Sequence, residues 1–245
     1  QIIGNTIENN GNYGIYLSQT TATIEDNIIR NHHSGIRTDY WGITVSNSSI
    51  NSTVYDFRTY QGGSITSTNT TFGKSKVLFE GTGGILNVYW YETVNVLNDS
   101  IPVIGAYIEV FDKDLSKVAN GTTDENGLIT FKIKEFIQMP GLKTNSTPHK
   151  LRATKDGYPP GSIDSNITES KTDIITLGSE VYIPEIPMTI TGDWVINETQ
   201  SYYDRNIIVE NGNILIRSNG SLNLDRTLLQ LRYTTNSGYK IEIQN

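Results

Sequence analysis

Asn5-Thr6-Ile7-Glu8-Asn9 recurs as Asn27-Ile28-Ile29-Arg30-Asn31, then more loosely as Ser48-Ser49-Ile50-Asn51-Ser52 and Thr70-Thr71-Phe72. The apolar positions Ile7, Ile29, Ile50 and Phe72 are 22, 21 and 22 residues apart, and a second series, Ile15, Ile36 and Phe57, steps by 21 and 21. Gly stands directly before the second series in the first two repeats, as Gly14-Ile15 and Gly35-Ile36. Nothing here returns at the helical period, and short β-branched runs broken by Asn, Gly and Ser define strands and tight turns. A repeat near 22 residues made of such strands is the signature of a parallel β-solenoid, in which each coil lies on the previous one at roughly 4.8 Å. Ile at one place in successive coils then stacks inside. Asn5 over Asn27, or Asn9 over Asn31, is expected to form an amide ladder at a turn. A disordered Ser/Thr/Asn-rich linker would not hold two apolar registers over three and four repeats.

The pattern Ile-x-x-Asn-x-Ile-x-Asn-Asn-x-x-x-Gly-Ile, read across Ile2 to Ile15 and more loosely across Ile24 to Ile36, resembles the right-handed parallel β-helix repeats of the pectate-lyase-like superfamily. The version found in large surface proteins of archaea and bacteria is the nearest in character. The resemblance implies a fold and says little about activity.

Composition bounds the rest. The chain has 245 residues, a net charge of -7 and no basic run, which argues against a nucleic-acid surface and against electrostatic binding to anionic lipid. Charged residues are 18% of the chain, while Ser and Thr number 49 and Asn 24. With no Cys, disulfides and Cys-ligated metals are excluded. No apolar stretch approaches the roughly 18 residues of a membrane helix. The chain opens on Gln1-Ile2-Ile3, so its start is expected to be mature, processed or cut from something longer.

All seven Pro lie between Pro102 and Pro187, ten of eleven Lys lie between Lys74 and Lys171, and 17 of 24 Asn fall in residues 1–84 and 188–245. Two flanks of one composition therefore bracket a middle of another. The proline-free flanks suit continuously paired ladders. The expected division is 1–84, β-helix coils; 85–187, an antiparallel sandwich; and 188–245, the opening coils of a second β-helix. In the middle, Val94, Val96, Ala106, Ile108, Val110, Ile129, Phe131, Ile133, Leu151 and Ala153 alternate with polar positions such as Glu109, Thr130, Lys132 and Arg152, giving sheets dry on one face. Asp124-Glu125-Asn126-Gly127 supplies turn chemistry. Pro102–Val110 followed by Thr122–Phe131 resembles the carboxypeptidase-regulatory-like and related Ig-like modules, small sandwiches used as spacers or contact domains. In the last segment, short runs such as Asn206-Ile207-Ile208-Val209 and Asn213-Ile214-Leu215-Ile216 return, and Gly212 and Gly220 mark corners of a three-sided coil. The fold class expected is all-β, right-handed parallel β-helix coils flanking an Ig-like β-sandwich.

Resemblance to a β-helix raises polysaccharide lyase or hydrolase chemistry, which in that superfamily uses carboxylates on one solvent-facing sheet with Arg or Lys as base, often around calcium. Glu8, Glu25, Asp26, Asp39, Asp56 and Glu80 are the acids of the first solenoid, with Arg30, Arg37 and Arg58 near them. A 22-residue step sets Glu8 under Arg30, and sets Glu25 and Asp26 over Ile3 and Gly4, so no acid is stacked on an acid as two-carboxylate hydrolysis would require. His32 and His33 are adjacent and point to opposite faces of a strand; with His149 far off, no metal site is expected. Asp112, Asp114 and Asp124-Glu125-Asn126 lack calcium-loop spacing and form turns. No catalytic residue, metal or cofactor is therefore assigned.

The sharper signal is Asn-x-Ser/Thr, the acceptor of N-glycans, at Asn47, Asn51, Asn69, Asn98, Asn120, Asn145, Asn166, Asn197 and Asn219. Random order at this composition yields about five. Glycans on these sites would supply solubility that the low charge does not. Tyr outnumbers Phe 14 to 6, with clusters at Tyr89-Trp90-Tyr91 and Tyr202-Tyr203, of which the first is expected to seal a junction between solenoid and sandwich. These features describe a non-enzymatic extracellular structural glycoprotein. It would form part of a cell-surface layer or fibre, built by head-to-tail stacking of β-helix coils with further copies or with a longer polypeptide. Its partners would be itself and covalent N-glycans, with no nucleic acid and no membrane span. The alternatives are a carbohydrate-active β-helix enzyme and a glycan-binding adhesin.

Overall fold

The computed structural model describes residues 1–178, 187–203, 205–225, 227–233 and 240–243. Its regular structure among these is all β, and the chain divides into two compact units, residues 1–180 and 181–245.

The first unit begins with four coils. They comprise β1 (Ile2–Ile3) and β2 (Thr6–Ser18); β3 (Ala22–Glu25) and β4 (Ile28–Asp39); β5 (Gly42–Ser46), β6 (Ser49–Asn51) and β7 (Tyr55–Tyr60); then β8 (Ser64–Thr68) and β9 (Val77–Glu80). Two parallel sheets result, β1-β3-β5-β8 and β2-β4-β7-β9. Both sequence registers are columns of this solenoid. Ile7 pairs with Ile29 and Ile29 with Ile50, and Ile15 pairs with Ile36, Ile36 with Phe57 and Phe57 with Val77. Ile29, Ile36, Ile50 and Phe57 are buried, and Phe72 packs edge-on against Phe57 at 4.7 Å between ring centroids. Each such aliphatic residue contributes roughly 1.5–3 kcal/mol through removal from water. The glycines that precede the second register are there for space. A Cβ on Gly14 would lie 2.7 Å from Ile29, His32 and the Gly35 carbonyl, and one on Gly35 would lie 2.5 Å from Ile50.

One corner carries a side-chain ladder through all four coils. Asn27 Oδ1 accepts the Asn5 backbone N–H (2.9 Å), Ser48 Oγ accepts that of Asn27 (3.1 Å) and Thr70 Oγ1 accepts that of Ser48 (3.4 Å). Each of these side chains donates to the carbonyl two residues before it: Asn5 to Ile3, Asn27 to Glu25, Ser48 to Ser46 and Thr70 to Thr68. The Asn5 amide also donates to Asn27 Oδ1 at 3.2 Å. The residue before each rung turns the chain through the left-handed region, with φ of 68° at Gly4, 55° at Asp26, 49° at Asn47 and 47° at Asn69. Asn and Asp tolerate that conformation better than other residues with a Cβ. The second expected ladder differs. Asn9 and Asn31 are equivalent, with φ of 60° and 61°, but among the described residues no bond joins their amides. The pairing register shifts between Glu8 and Gly11, and the Asn10 N–H reaches the buried His32 Nδ1 instead (3.1 Å).

The solenoid runs into antiparallel structure without a break in hydrogen bonding. β10 (Ile85–Asn98) is 14 residues long; its start pairs in parallel with β8. It is followed by β11 (Ile101–Pro102), β12 (Tyr107–Phe111), β13 (Lys117–Thr122), β14 (Leu128–Met139), β15 (Leu142–Asn145), β16 (His149–Lys155), β17 (Tyr158–Ser165) and β18 (Lys171–Thr176). On its other edge β10 pairs antiparallel with β14, which pairs with β15, while β18 pairs in parallel with the second half of β10. A separate four-stranded antiparallel sheet has the order β13-β12-β16-β17. Val94, Val96, Ala106, Ile108, Val110, Phe131, Ile133, Leu151 and Ala153 are all buried in one cluster, continuous with the solenoid core; Ile129 is half-buried against it. Segments 1–84 and 85–187 thus share one sheet and one core, and residues 179–186 of the latter lie outside the described residues.

The second unit contains β19 (Met188–Thr191), β20 (Trp194–Ile196), β21 (Thr199–Tyr203), β22 (Asn206–Glu210), β23 (Ile214–Ile216), β24 (Ser221–Asp225), β25 (Leu228–Arg232) and β26 (Ile241–Ile243). They form three parallel sheets, β19-β22-β25, β20-β23-β26 and β21-β24, around Trp194, Ile196, Ile207, Val209 and Ile214. This is a three-sided coil. Gly212 is a corner at which a Cβ would lie 1.9 Å from Gly192 of the coil before.

Candidate functional site

The outer face of β2-β4-β7-β9 gathers the densest set of polar and aromatic groups in the first unit. In-register stacking places Tyr16, Arg37 and Arg58 in one row, and Ser18, Asp39, Tyr60 and Glu80 in the next. Arg37 Nε donates to Asp39 Oδ1 (2.8 Å) and Arg37 Nη1 to the Tyr13 hydroxyl (2.9 Å). Asp39 Oδ2 also accepts the Tyr16 hydroxyl (2.8 Å). Arg58 binds Glu80 through two parallel bonds, Nε to Oε2 (2.6 Å) and Nη2 to Oε1 (2.7 Å). The Arg37 guanidinium lies 5.4–5.5 Å from the ring centroids of Tyr13, Tyr16 and Tyr60, within cation–π range. Arg58 hydrogen-bonding holds the Glu80 carboxyl below its usual range, with Arg37 adding a second positive charge. Bonding to Asp39 raises the Arg37 pKa in turn, against the opposing effect of burial. The network ties four successive coils together, and each of its carboxylates is paired with an arginine.

Around this network, Tyr16, Tyr40 and Trp41 are each about half exposed, at 51%, 50% and 52%. Tyr40 turns the corner at φ 67° and packs edge-on against Tyr60. The other sequence candidates lie apart. Glu8 pairs with Arg30 at 2.6 Å on the surface, as the 22-residue step requires, and Glu25 pairs with Ile3. Asp56 is buried and accepts the backbone N–H groups of Ser52 (2.7 Å) and Gly73 (2.6 Å), so it holds a loop. His32 is buried, with Nδ1 accepting from Asn10 and Nε2 at 3.0 Å from the Ile7 carbonyl, while His33 is exposed against Tyr55. Asp112 and Asp124 each accept two backbone N–H groups of their own turns. Among the described residues no three His or carboxylate side chains are grouped so as to hold a metal ion.

The tyrosine-rich clusters divide. Trp90 is buried, and its indole N–H donates to Glu135 Oε2 (2.6 Å). Lys74, from the fourth coil, binds the other oxygen of that carboxylate (2.7 Å) and lies 5.7 Å from the Trp90 ring. The cluster therefore joins coil to antiparallel sheet. In the second unit Tyr202 is half-buried edge-on against Trp194; the Tyr203 side chain lies outside the described residues.

Of the nine glycan acceptor sites, Asn47, Asn51, Asn120, Asn145, Asn166, Asn197 and Asn219 are exposed. Asn69 and Asn98 are half-buried, and their amide nitrogens donate to Asn47 Oδ1 (2.9 Å) and to the Leu177 carbonyl (2.8 Å).

Two groups escaped the sequence reading. Tyr13, Tyr16, Tyr40 and Tyr60 are scattered in sequence, though the 21-residue spacing of Tyr16, Arg37 and Arg58 was a signal of one row. Glu92 is buried on the core face of β10 and was legible from its parity with Trp90 and Val94.

Comparison with known proteins agrees with the coil geometry. The model of the family described as "Right handed beta helix region" matches residues 1–100, less than half of the chain. No curated protein matches. Among solved structures the Bacillus anthracis TIE protein is similar at a TM-score of 0.32 and 14% identity, over 52% of this chain and 22% of that chain. The chain thus spans about a fifth of that chain's length. In its first hundred residues the protein is similar to right-handed β-helix regions, and its coils are those of a parallel β-helix.

Proposed function

We propose that this chain is a structural, non-enzymatic segment of an extracellular or cell-surface glycoprotein, a stiff β-helix with an Ig-like spacer joined to it. The observation that carries the reading is the use made of the acids. Asp39 and Glu80 brace arginines across four coils, and Asp56 fixes a loop through two backbone bonds. A reactive carboxylate pair would instead be held apart in protonation state and open to substrate. Stiffness along the coil axis is supported by the corner ladder and by a sheet that runs from β1 through β10 to β15. Seven exposed acceptor asparagines suit a glycan coat. The pectate-lyase-like superfamily remains the parent proposed for the coils.

Further coils, from a second copy or from the same polypeptide, would extend the ladders at β1 and β2 of the first unit and β25 and β26 of the second, which are the outer strands of their sheets among the described residues. Electron microscopy with a mass measurement on natural material tests this: rods or lattices are expected, and uniformly monodisperse short particles from the intact natural chain would overturn the assembly. A second reading, a glycan-binding adhesin, is favoured by the half-exposed rings of Tyr16, Tyr40 and Trp41. A glycan array would decide it, since binding that vanishes in Trp41→Ala would support an adhesin and absence of hits would remove it.

A further inference from the structure

The acceptor asparagines of the antiparallel part follow the sheet edges. Its two sheets have inner strands β10, β12, β14 and β16, with outer strands β13 and β17 in one sheet and β15, the two-residue β11 and β18 in the other, of which β13, β15 and β17 carry or adjoin an acceptor asparagine. Asn120 lies on β13, Asn145 is the last residue of β15, and Asn166 directly follows β17. All three are exposed. The remaining sequon of this part, Asn98 at the end of inner strand β10, is the one whose amide nitrogen is already bonded, to Leu177. At exposed Asn166 the Thr147 hydroxyl donates to Oδ1 (2.9 Å), and that bond does not occupy the amide nitrogen, the atom that a glycan would take.

An exposed outer strand offers unpaired backbone groups to a strand of another molecule, and proteins blunt such edges with charge, proline, bulges or cover. Charge is sparse on β15, with Lys143 alone, and on β13, with Lys117 alone. β13 and β15 contain no proline, whereas β17 has Pro159 and Pro160 at its start and Asn166 just beyond its other end. We propose that Asn120, Asn145 and Asn166 carry N-linked oligosaccharides whose role is to cover the outer strands β13 and β15 and the proline-free end of β17, so that the molecule associates through its coil ends and not through its sandwich edges. This rests on the glycoprotein reading above and adds to it the placement and purpose of three of the glycans. A bulky, hydrated sugar on an edge strand excludes an incoming strand from the 4.7–4.9 Å pairing distance by volume alone.

The test is made on the full chain from its natural source or a host of the same glycosylation type. Glycopeptide mass spectrometry should find sugar on Asn120, Asn145 and Asn166 and none on Asn98 or Asn69. The triple variant Asn120→Gln, Asn145→Gln, Asn166→Gln should melt within a few degrees of the parent but form off-axis aggregates, with light-scattering mass rising severalfold. Asn51→Gln, which removes a solenoid sequon, should not. Endoglycosidase trimming of the folded parent should reproduce the aggregation without any change of sequence. Sugar on Asn47, Asn51 or Asn197 with none on the three edge sites would overturn the inference and leave the glycoprotein reading intact. A chain without any sugar would sink both. Occupied edge sites whose removal, by substitution or by trimming, leaves association unchanged would refute the covering role.

Discussion

Glu92 makes the fold of the first unit sensitive to alkali. Its side chain is fully buried on the core face of β10, where its carboxyl faces that of Asp173 on neighbouring β18. Burial, reinforced by the negative charge of Asp173 on neighbouring β18, pushes its pKa up to about 8 from an ordinary 4.5, against the weaker pull of Lys171. Asp173 itself is held below its usual range: burial would raise it, but bonds from Ser165 and Lys171 outweigh that. A carboxyl whose folded pKa is raised contributes stability that is fully present below about pH 4.5 and is lost as pH climbs through about 8, because the unfolded chain ionises first. A shift of 8 minus 4.5 is about 3.5 units, which at about 1.36 kcal/mol per unit amounts to roughly 5 kcal/mol. Urea unfolding at intervals from pH 5 to pH 9 should show the first unit losing stability up to about pH 8 and levelling off above it, relative to Glu92→Gln, whose amide does not ionise. The Asp173 contribution belongs to a separate window, lost only as pH falls below the ordinary aspartate range. A difference between parent and Glu92→Gln that stays flat from pH 5 to pH 9 would refute the reasoning.

Three further outcomes follow from the packing. Gly35→Ala places a methyl 2.5 Å from Ile50 Cγ2 and 2.8 Å from the Asp56 carbonyl; overpacking of this kind should cost about 1–3 kcal/mol, read as a lowered melting temperature. Asn27→Ala removes the second rung of the corner ladder, strands the Asn5 N–H and takes a donor from the Ile2 and Glu25 carbonyls, the latter keeping the Gly4 N–H, which should cost about 1–3 kcal/mol in chemical denaturation. Trp90→Phe keeps the ring but leaves Glu135 Oε2 without its indole donor, and should cost about 1–3 kcal/mol while hydrogen exchange accelerates in β10 and β14.

The solenoid was legible because its information is one-dimensional. Ile7, Ile29 and Ile50 lie at a constant interval, and stacking like on like is the only way to bury them all. The same interval foretold the Glu8–Arg30 pair and the Asn5–Asn27 bond. It could not foretell that the ladder would pass from Asn to Ser48 and Thr70, because a hydroxyl and an amide oxygen accept the same N–H and the sequence identity changes while the chemistry does not. Asn9 and Asn31 failed as a ladder because a single irregular step after Glu8 displaces the pairing. The antiparallel alternation of Val94, Ile108 and Leu151 was readable, but its attachment was not. That β10 pairs with β8, β14 and β18 at once depends on contacts remote in sequence, and no local pattern at Ile85–Asn98 distinguishes those partners. The tyrosine–arginine face was hidden for a similar reason, since its members come from four coils and only the coil register brings them together.

The claim on which everything else depends is the stacking of equivalent residues in adjacent coils, about 4.8 Å apart. Methyl-resolved nuclear Overhauser measurements on isoleucine-labelled protein test it directly. Cross-peaks are predicted between Ile7 and Ile29, between Ile29 and Ile50, and between Ile15 and Ile36, with none linking Ile7 to Ile50. Ile29 methyls that see neither Ile7 nor Ile50 would contradict the account.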